Sequence, residues 1–279
     1  MISALTPLLP DFTSLQWLES TGSSNADLMQ RARQAGAAPL PWLLGADHQS
    51  SARGRAGRPW QNAAGSTLMF SCAFAVDLPI AELPGLSPVM GIAACEALRD
   101  LISAHRASQS PPIAEIRLAL KWPNDLQWDQ AKLAGILVES ANRPDSQSPV
   151  IVAGIGLNLK DAPALSTELG RPIADWSQIA GISPTISSAL IVASIAHAWS
   201  RAIKDYATGG YAVFKTRFDR VDALAGHQVD VTNQGSILQT GVAIGTDSIG
   251  RLLLQNNQGI SAVMVGDVSI RPSATVSQS

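Results

Sequence analysis

The sequence predicts a mixed α/β protein that ends in a small antiparallel β unit. Three observations carry that prediction. Apolar residues alternate at Leu68, Phe70, Cys72, Phe74 and Val76, the period of a strand with a buried face. They recur every four residues at Val89, Ala93, Ala97 and Leu101, with Ile92 beside them, the period of an amphipathic helix. After Ala223 the helical period stops, and short strand candidates follow one another across Asn-Gln-Gly, Asp-Ser-Ile-Gly and Asn-Asn-Gln-Gly turns. A length of 279 residues carries a soft expectation of about two domains. The change of pattern divides the chain into residues 1–222, residues 223–272 and a polar tail at 273–279.

Taken in order, Ser23-Ser-Asn-Ala-Asp27 precedes Leu28-Met-Gln-Arg and predicts a helix opened by a capping side chain and a first-turn acid. Capping alone would account for Ser24. Strands are expected at Trp42 to Leu44 and Leu68 to Val76, then a helix from Pro88 to Ser103 covering one sheet face. Ile116 to Leu120, Leu133 to Val138 and Val150 to Gly154 are short apolar runs bounded by turn residues, as in central strands. Arg143 to Pro149 reads as a surface turn between two of them. A long helix from about Ser188 to Tyr206 carries Ile191, Ile195, Trp199 and Ile203 on one stripe, and a shorter one follows Gly210. In the C-terminal unit the strands are Gln228 to Thr232, Ser236 to Ile244, Arg251 to Leu254 and Ile260 to Val265, which together make a small barrel.

Composition limits the setting. Hydrophobic residues make up 46% and charged residues 15%, which is globular rather than disordered. A formal charge of −2 argues against a nucleic-acid groove as the chain's main business, so any bound anion has to be met by local cations. Cys72 and Cys95 lack metal-ligand spacing and are too few for a disulfide framework. The segment Met1 to Phe12 has neither the positive start nor the apolar run of a signal peptide, and no stretch reaches the ~20 apolar residues of a membrane span. The expectation is a soluble cytoplasmic protein without a membrane partner.

Against that lightly charged background, Gln49 to Trp60 concentrates Arg53, Arg55 and Arg58 with Gly54, Gly57 and Trp60. Forked, permanently charged donors suit carboxylate and phosphate, and the two glycines let the backbone approach a ligand with positive φ. A solvated basic loop, or an Arg/Gly RNA-binding tract, is the alternative. Such tracts are normally repeated in Gly-rich surroundings, whereas this one occurs once between apolar runs. Three further groups sit at strand ends. Lys121-Trp-Pro-Asn-Asp125 follows an apolar strand that Pro123 ends, leaving Asn124 and Asp125 in a turn. Lys132 opens the next strand, on the face shared by Ala134, Ile136 and Val138, where a lysine needs a partner, a ligand or an escape to the edge. Gly154-Ile-Gly-Leu-Asn158 ends a third strand with two glycines and an amide.

Together these stretches resemble the biotin–protein ligase family. The match rests on Ser23-Ser-Asn25, Gln49 with Arg53-Gly-Arg-Ala-Gly-Arg-Pro-Trp60, Lys121-Trp-Pro-Asn-Asp-Leu126, Lys132-Leu-Ala-Gly-Ile-Leu-Val-Glu139 and Gly154-Ile-Gly-Leu-Asn158. The resemblance implies a catalytic domain akin to class II aminoacyl-tRNA synthetases, an SH3-like C-terminal domain, biotin and MgATP as substrates, and adenylation followed by transfer to a lysine. It implies that Arg53, Arg55 and Lys132 are the cations around the carboxylate and α-phosphate. Ser23, Ser24, Asn25 and Gln49 match biotin-contacting positions. Gly54, Trp60, Lys121, Asn124, Gly135 and Asn158 match further ligand positions, with Trp60 near the adenine and Asp125 on the Mg²⁺ side. The implied acceptor is the biotin carboxyl carrier protein of acetyl-CoA carboxylase, or a similar carrier domain.

Ala52 stands where the family's Arg/Gly motif opens with glycine, which predicts a stiffer loop at that point. About twenty residues precede Ser23, too few for the winged helix-turn-helix of some relatives, so repressor function and a nucleic-acid partner are not expected. An exposed sheet edge would allow a homodimer. The rival readings are a lipoate–protein ligase with the same adenylation chemistry, and a noncatalytic biotin-sensing or RNA-binding module.

Overall fold

The computed structural model describes residues 1–34, 36, 38–61, 65–107, 116–144, 148–179, 186–233, 235–264 and 269–272. Its framework is a seven-stranded sheet ordered β1-β2-β3-β7-β6-β5-β4. A one-turn helix, α1 (Ile2–Leu5), leads into β1 (Ser14–Thr21); α2 (Ser24–Gln34) then crosses to β2 (Trp42–Gln49), which lies parallel to β1. A parallel neighbour requires such a crossover, and every other pair in the sheet is antiparallel. The remaining strands are β3 (Thr67–Ala75), β4 (Leu118–Lys121), β5 (Asp125–Trp128), β6 (Ala131–Ala141) and β7 (Val150–Asn158).

The alternation in β3 does what its period predicts. Leu68, Phe70, Cys72 and Phe74 point to one face, into a core closed by α3 (Leu86–Ala107) and by α5 (Ser188–Gly209), which follows the short α4 (Ala162–Leu169). On α3 the stripe Val89, Ile92, Ala93 and Ala97 is buried; on α5 it is Ile191, Ile195, Trp199 and Ile203. Trp199 lies 5.7 Å from Phe70, centroid to centroid, and its indole N–H donates to the Met90 carbonyl at 3.0 Å, so its one polar atom is satisfied in the core. The opposite face is covered differently. There Leu28, Met29 and Ala32 of α2 pack on Trp42, Leu44, Ala73, Val150 and Val152, and α2 ends short of the sheet's far half.

After α6 (Ala212–Asp219) the chain forms a second, wholly antiparallel sheet ordered β11-β10-β9-β8-β12. Its strands are β8 (Gln228–Asn233), β9 (Ser236–Thr246), β10 (Leu252–Asn256), β11 (Gly259–Val263) and β12 (Ser269–Pro272). Val229, Val231, Ala243, Leu252, Leu254 and Ile270 belong to the same apolar cluster as α3 and α5, so the two sheets share one core. Trp122 seals the seam by donating its indole N–H to the Gly250 carbonyl at 3.0 Å. Among the described residues no helix is long and apolar enough to cross a membrane.

Several expectations need correction. β1, β5, β12, α1 and α4 were not legible as elements, because each is short or polar: β1 buries none of its residues fully and β5 has four residues behind Pro123. Asp125 is not in the turn; the turn is Trp122 to Asn124, and Asp125 opens β5 opposite Lys121 and Gly135. Lys132 does not share a face with Ala134 and Ile136. The β5–β6 register runs Leu126 to Ala134 and then Gln127 to Lys132, so a bulge at Leu133 turns Lys132 to the side of Gly135, away from the core that takes both Leu133 and Ala134. Val265, the tail at 273–279 and the middle of the Arg143 to Pro149 turn lie outside the described residues.

Candidate active site

The groove begins where α2 stops. On that face the sheet carries Gly135, Gly154 and Gly156, and the register sets Gly135 directly opposite Gly156. These glycines are required by close approach rather than by backbone conformation. A Cβ at Gly156 would fall 2.6 Å from the Trp60 ring, one at Gly135 2.9 Å from it, and one at Gly154 2.1 Å from Asn25 Oδ1. Trp60 therefore lies flat on a floor that has no side chains.

Trp60 is delivered by the arch that leaves β2. Its neck is closed by Trp60 N–H donating to the Ala52 carbonyl at 2.9 Å and Gly54 N–H donating to the Arg58 carbonyl at 2.8 Å. At its crown, Ala56 (φ 54°) and Gly57 (φ 68°) take the left-handed conformation. Gly54 does not, contrary to expectation: at φ −98° and ψ −165° it is extended. Ala52 is also outside the positive-φ set, so replacing glycine there imposes no strain on this loop. The arch brings Arg55 Nη1 to Asn124 Oδ1 at 3.1 Å and Arg53 Nη2 to 3.7 Å from Glu139 Oε1. Asn124 is itself fixed: its amide donates to the Ile136 carbonyl at 2.7 Å and its carbonyl accepts from Ile136 N–H at 2.9 Å.

Because the bulge turns Lys132 inward, its ammonium reaches Asp125 Oδ1 at 2.7 Å and sits 5.0 Å from the Trp60 ring centre. The two side chains are 15% and 26% exposed, so the pair is desolvated enough for its Coulomb attraction to matter, and the indole face adds to it. At the other end of the groove, under the N-terminus of α2, is a buried polar cluster. Ser23 caps the helix, its Oγ accepting from Ala26 N–H at 3.4 Å. Ser24 does not cap; its N–H donates to Gln49 Oε1 at 3.1 Å and its hydroxyl meets Gln49 Nε2 at 3.0 Å and Ser71 Oγ at 2.7 Å.

These parts enclose a cavity of about 860 Å³. Ser23, Asn25, Gln49, Arg53, Gly54, Arg55, Trp60, Lys121, Asn124, Asp125, Lys132 and Gly135 all line it, so residues more than a hundred positions apart meet at one place. Two expected residues stand behind the wall. Ser24 is buried beneath it, and Asn158 donates its amide to the Lys132 carbonyl at 3.3 Å and the Ala174 carbonyl at 3.1 Å, tying the end of β7 to the start of β6. The lining also includes Arg58, which the sequence reading put in the anion-binding loop without a specific role, and Met69, Gly156, Arg171, Leu224 and His227, which it did not place in the site. Gly156 had a signal in the Gly-Ile-Gly run; His227 had none, since the seam with the second sheet brings it there. Among the described residues no group of three or more His, Cys, Asp or Glu side chains is arranged to hold a metal ion.

Chemically the cavity is cationic at one end and a neutral hydrogen-bonding pocket at the other. A biotin/lipoate A/B protein ligase family model matches residues 19–158, the stretch that supplies most of this wall. A biotin–[acetyl-CoA-carboxylase] ligase of Mycobacterium tuberculosis is 33% identical over 257 residues, covering 91% of this chain and 88% of its own. The chain belongs to the biotin/lipoate A/B protein ligase family. Within that family, the bifunctional ligase/repressor BirA of Bacillus subtilis is 28% identical over 84% of this chain and 67% of its own length. The solved biotin protein ligase from Aquifex aeolicus in complex with biotin and ATP covers 94% of this chain and 100% of its own, at TM-score 0.72 and 25% identity.

Proposed function

We propose that the chain is a biotin–protein ligase that activates biotin with ATP and passes it to a lysine of a carrier domain. The observation that carries this reading is the convergence of Arg53, Arg55, Lys121 and Lys132 on one groove that ends in a neutral polar pocket. Such a groove suits a substrate with a polar head and a carboxylate tail, laid against a second anion. In the first step a carboxylate oxygen of biotin forms a bond to the α-phosphorus of ATP as the bond to pyrophosphate breaks. Two anions are brought together, so the dominant need is positive charge where negative charge gathers. Lys132, held by Asp125 and backed by Trp60, supplies a pre-oriented charge there, and Arg53 and Arg55 bring two more as the arch closes. In the second step an acceptor amine attacks the acyl carbonyl of the mixed anhydride and AMP leaves. No nucleophile from the protein is needed.

Mg²⁺ fits here only as a nucleotide-borne ion. One carboxylate, Asp125, lines the cavity beside the cations, which is the sparse protein contribution Mg²⁺ accepts when phosphates supply its other ligands. The ion's contribution would be to neutralise phosphate charge. Residues 1–222 are assigned as the catalytic domain, akin to class II aminoacyl-tRNA synthetases, and 223–272 as an SH3-like domain. The carrier is of the acetyl-CoA carboxylase type, supported by the Mycobacterium relative's name. The test is pyrophosphate release by the purified chain with biotin and MgATP, followed by labelling of one lysine on a carrier domain. Lipoate should not replace biotin. Lipoylation without biotinylation would overturn the reading.

A further inference from the structure

Behind the neutral end of the groove, one chain of hydrogen bonds runs from Gln49 to Glu139, and an ion pair joins it to the loop arginine. Asn25 Nδ2 donates to Glu139 Oε2 at 2.9 Å and to the Leu137 carbonyl at 3.3 Å. Both partners are acceptors and neither carries a proton to give, so the Asn25 amide is held with its NH₂ towards β6 and its oxygen the other way. That oxygen accepts from Ser71 Oγ at 2.6 Å. With its single proton spent, the Ser71 hydroxyl has only lone pairs for Ser24 Oγ, 2.7 Å away, so Ser24 donates there and accepts from Gln49 Nε2 at 3.0 Å. Every side-chain donor in the row thus points the same way, towards Glu139, while Ser24 N–H, donating back to Gln49 Oε1 at 3.1 Å, fixes the amide at the row's start; the other Glu139 oxygen lies 3.7 Å from Arg53 Nη2.

The geometry points to Glu139 as the positioning residue that, together with the Leu137 carbonyl, holds the direction of this row, and with it the face the pocket wall shows to a substrate. Asn25 lines the cavity, and its oxygen lies over the Gly154 floor, where a Cβ would come within 2.1 Å of it. The wall there is an acceptor. It is matched to an N–H on the substrate's ring, which the ureido group of biotin has and the dithiolane of lipoate lacks. A reversed row would present an NH₂ instead and lose the match, since a site built to pair with one donor is left with unpaired polar groups when the pattern inverts. The same carboxylate draws on Arg53, so pocket and arch are joined by one charge.

The inference rests on biotin being the substrate, and its test separates the two. Binding of biotin to the full chain is measured by calorimetry without ATP; a parent protein that does not bind biotin fails the functional reading, not this one. In a binding parent, Glu139→Gln removes the charge that favours one direction, and biotin affinity should fall on the order of tenfold. The loss should fall on the biotin KM, with the ATP KM within about twofold and kcat less affected than the biotin KM. Adding Asn25→Asp to Glu139→Gln puts a carboxylate where the Ser71 hydroxyl still donates and an amide behind it, which restores the direction while giving up the contact to the Leu137 carbonyl, so recovery should be partial. Biotin affinity in the double variant should then lie between that of the single variant and that of the parent. Wild-type affinity in Glu139→Gln, equal losses for biotin and ATP, or a double variant no tighter than the single one would each overturn the inference.

Discussion

The two faces of the seven-stranded sheet are built from the same strands and do opposite things. Towards α3 and α5 the strands offer bulk: Phe70, Cys72, Ile136 and Leu157 share one buried cluster, with Phe70 against Trp199. Towards α2 the side chains are apolar beneath the body of the helix, and at its N-terminal end they shrink to Gly154 under Asn25 and to Gly135 and Gly156 under Trp60. A strand side chain changes face at each residue, so neighbouring positions in β7 belong to different tasks. One face stores stability, and the other leaves room.

The sharpest way to break this comparison is to change two adjacent residues. Leu157 is fully buried in the core, and Leu157→Ala should cost about 2–5 kcal/mol in urea unfolding. The fraction that stays folded should bind biotin and ATP as the parent does. Gly156→Ala should do the reverse: its Cβ, 2.6 Å from the indole, must push Trp60 off the floor, weakening ATP use while the unfolding free energy falls less than for Leu157→Ala. Equal stability losses for both, with matching kinetic defects, would refute the division of labour.

On the groove side, Lys132 is the cation with the most complete support. Lys132→Ala should slow adenylation by roughly 1.5–3 kcal/mol of barrier, about ten- to a hundredfold, with little change in folding. It also leaves the Asp125 carboxylate without its ammonium partner, so Lys132→Arg, which keeps a cation there, should retain more of the rate than Lys132→Ala. Wild-type adenylation by Lys132→Ala at saturating substrates would remove it from the reaction. A smaller effect is expected at the arch, where Arg55 is tied to Asn124 at 3.1 Å. Arg55→Gly deletes that tie and raises the entropy of the open loop, so the variant should still form biotinyl-adenylate but release it roughly tenfold faster. Filtration of the bound intermediate and biotin on a bystander protein such as albumin are the readouts; unchanged retention would count against the arch as a lid.

The legibility of these faces in the sequence was uneven, for physical reasons. Core positions announce themselves by period, which is why β3, α3 and α5 were located within a few residues of their ends. The arginine arch and the Lys121 to Asp125 turn were legible because charge and glycine in an apolar chain are costly unless used. Lys132 was given the wrong face because parity counts fail at a bulge, and nothing in Ala-Lys-Leu-Ala-Gly marks one. Gly54 was expected to supply the positive φ that Ala56 and Gly57 supply. Ser71 and His227 escaped notice, and Glu139 was read only as the end of the matched Lys132 stretch, because their partners are set by register and by the packing of two sheets, which no local pattern records.

The seam between the two sheets offers the smallest effect and a separate test of the shared core. Leu120 N–H donates to the Val221 carbonyl at 2.6 Å and Ala223 N–H to the Leu120 carbonyl at 3.0 Å, which holds Asp222 against the sheet edge. Asp222 Oδ1 accepts from Leu224 N–H at 2.8 Å, while Oδ2 is buried with no hydrogen-bond partner among the described residues. Burial pushes its carboxyl up to about 6, with the nearby Asp219 charge adding to the shift. A carboxyl raised above its unfolded value keeps its proton in the folded protein while the unfolded chain has lost it, between about pH 4 and 6. Stability therefore falls as pH rises through that window and levels off above it, by about 1–2 kcal/mol after allowing for partial solvent screening. Asp222→Asn keeps an acceptor for Leu224 and carries no charge at any pH. Its stability relative to the parent should accordingly be greater at pH 7.5 than at pH 4, as read from urea unfolding at both. A difference that does not change with pH would mean that the seam admits water around Asp222, and that the two sheets meet less tightly there than either packs within itself.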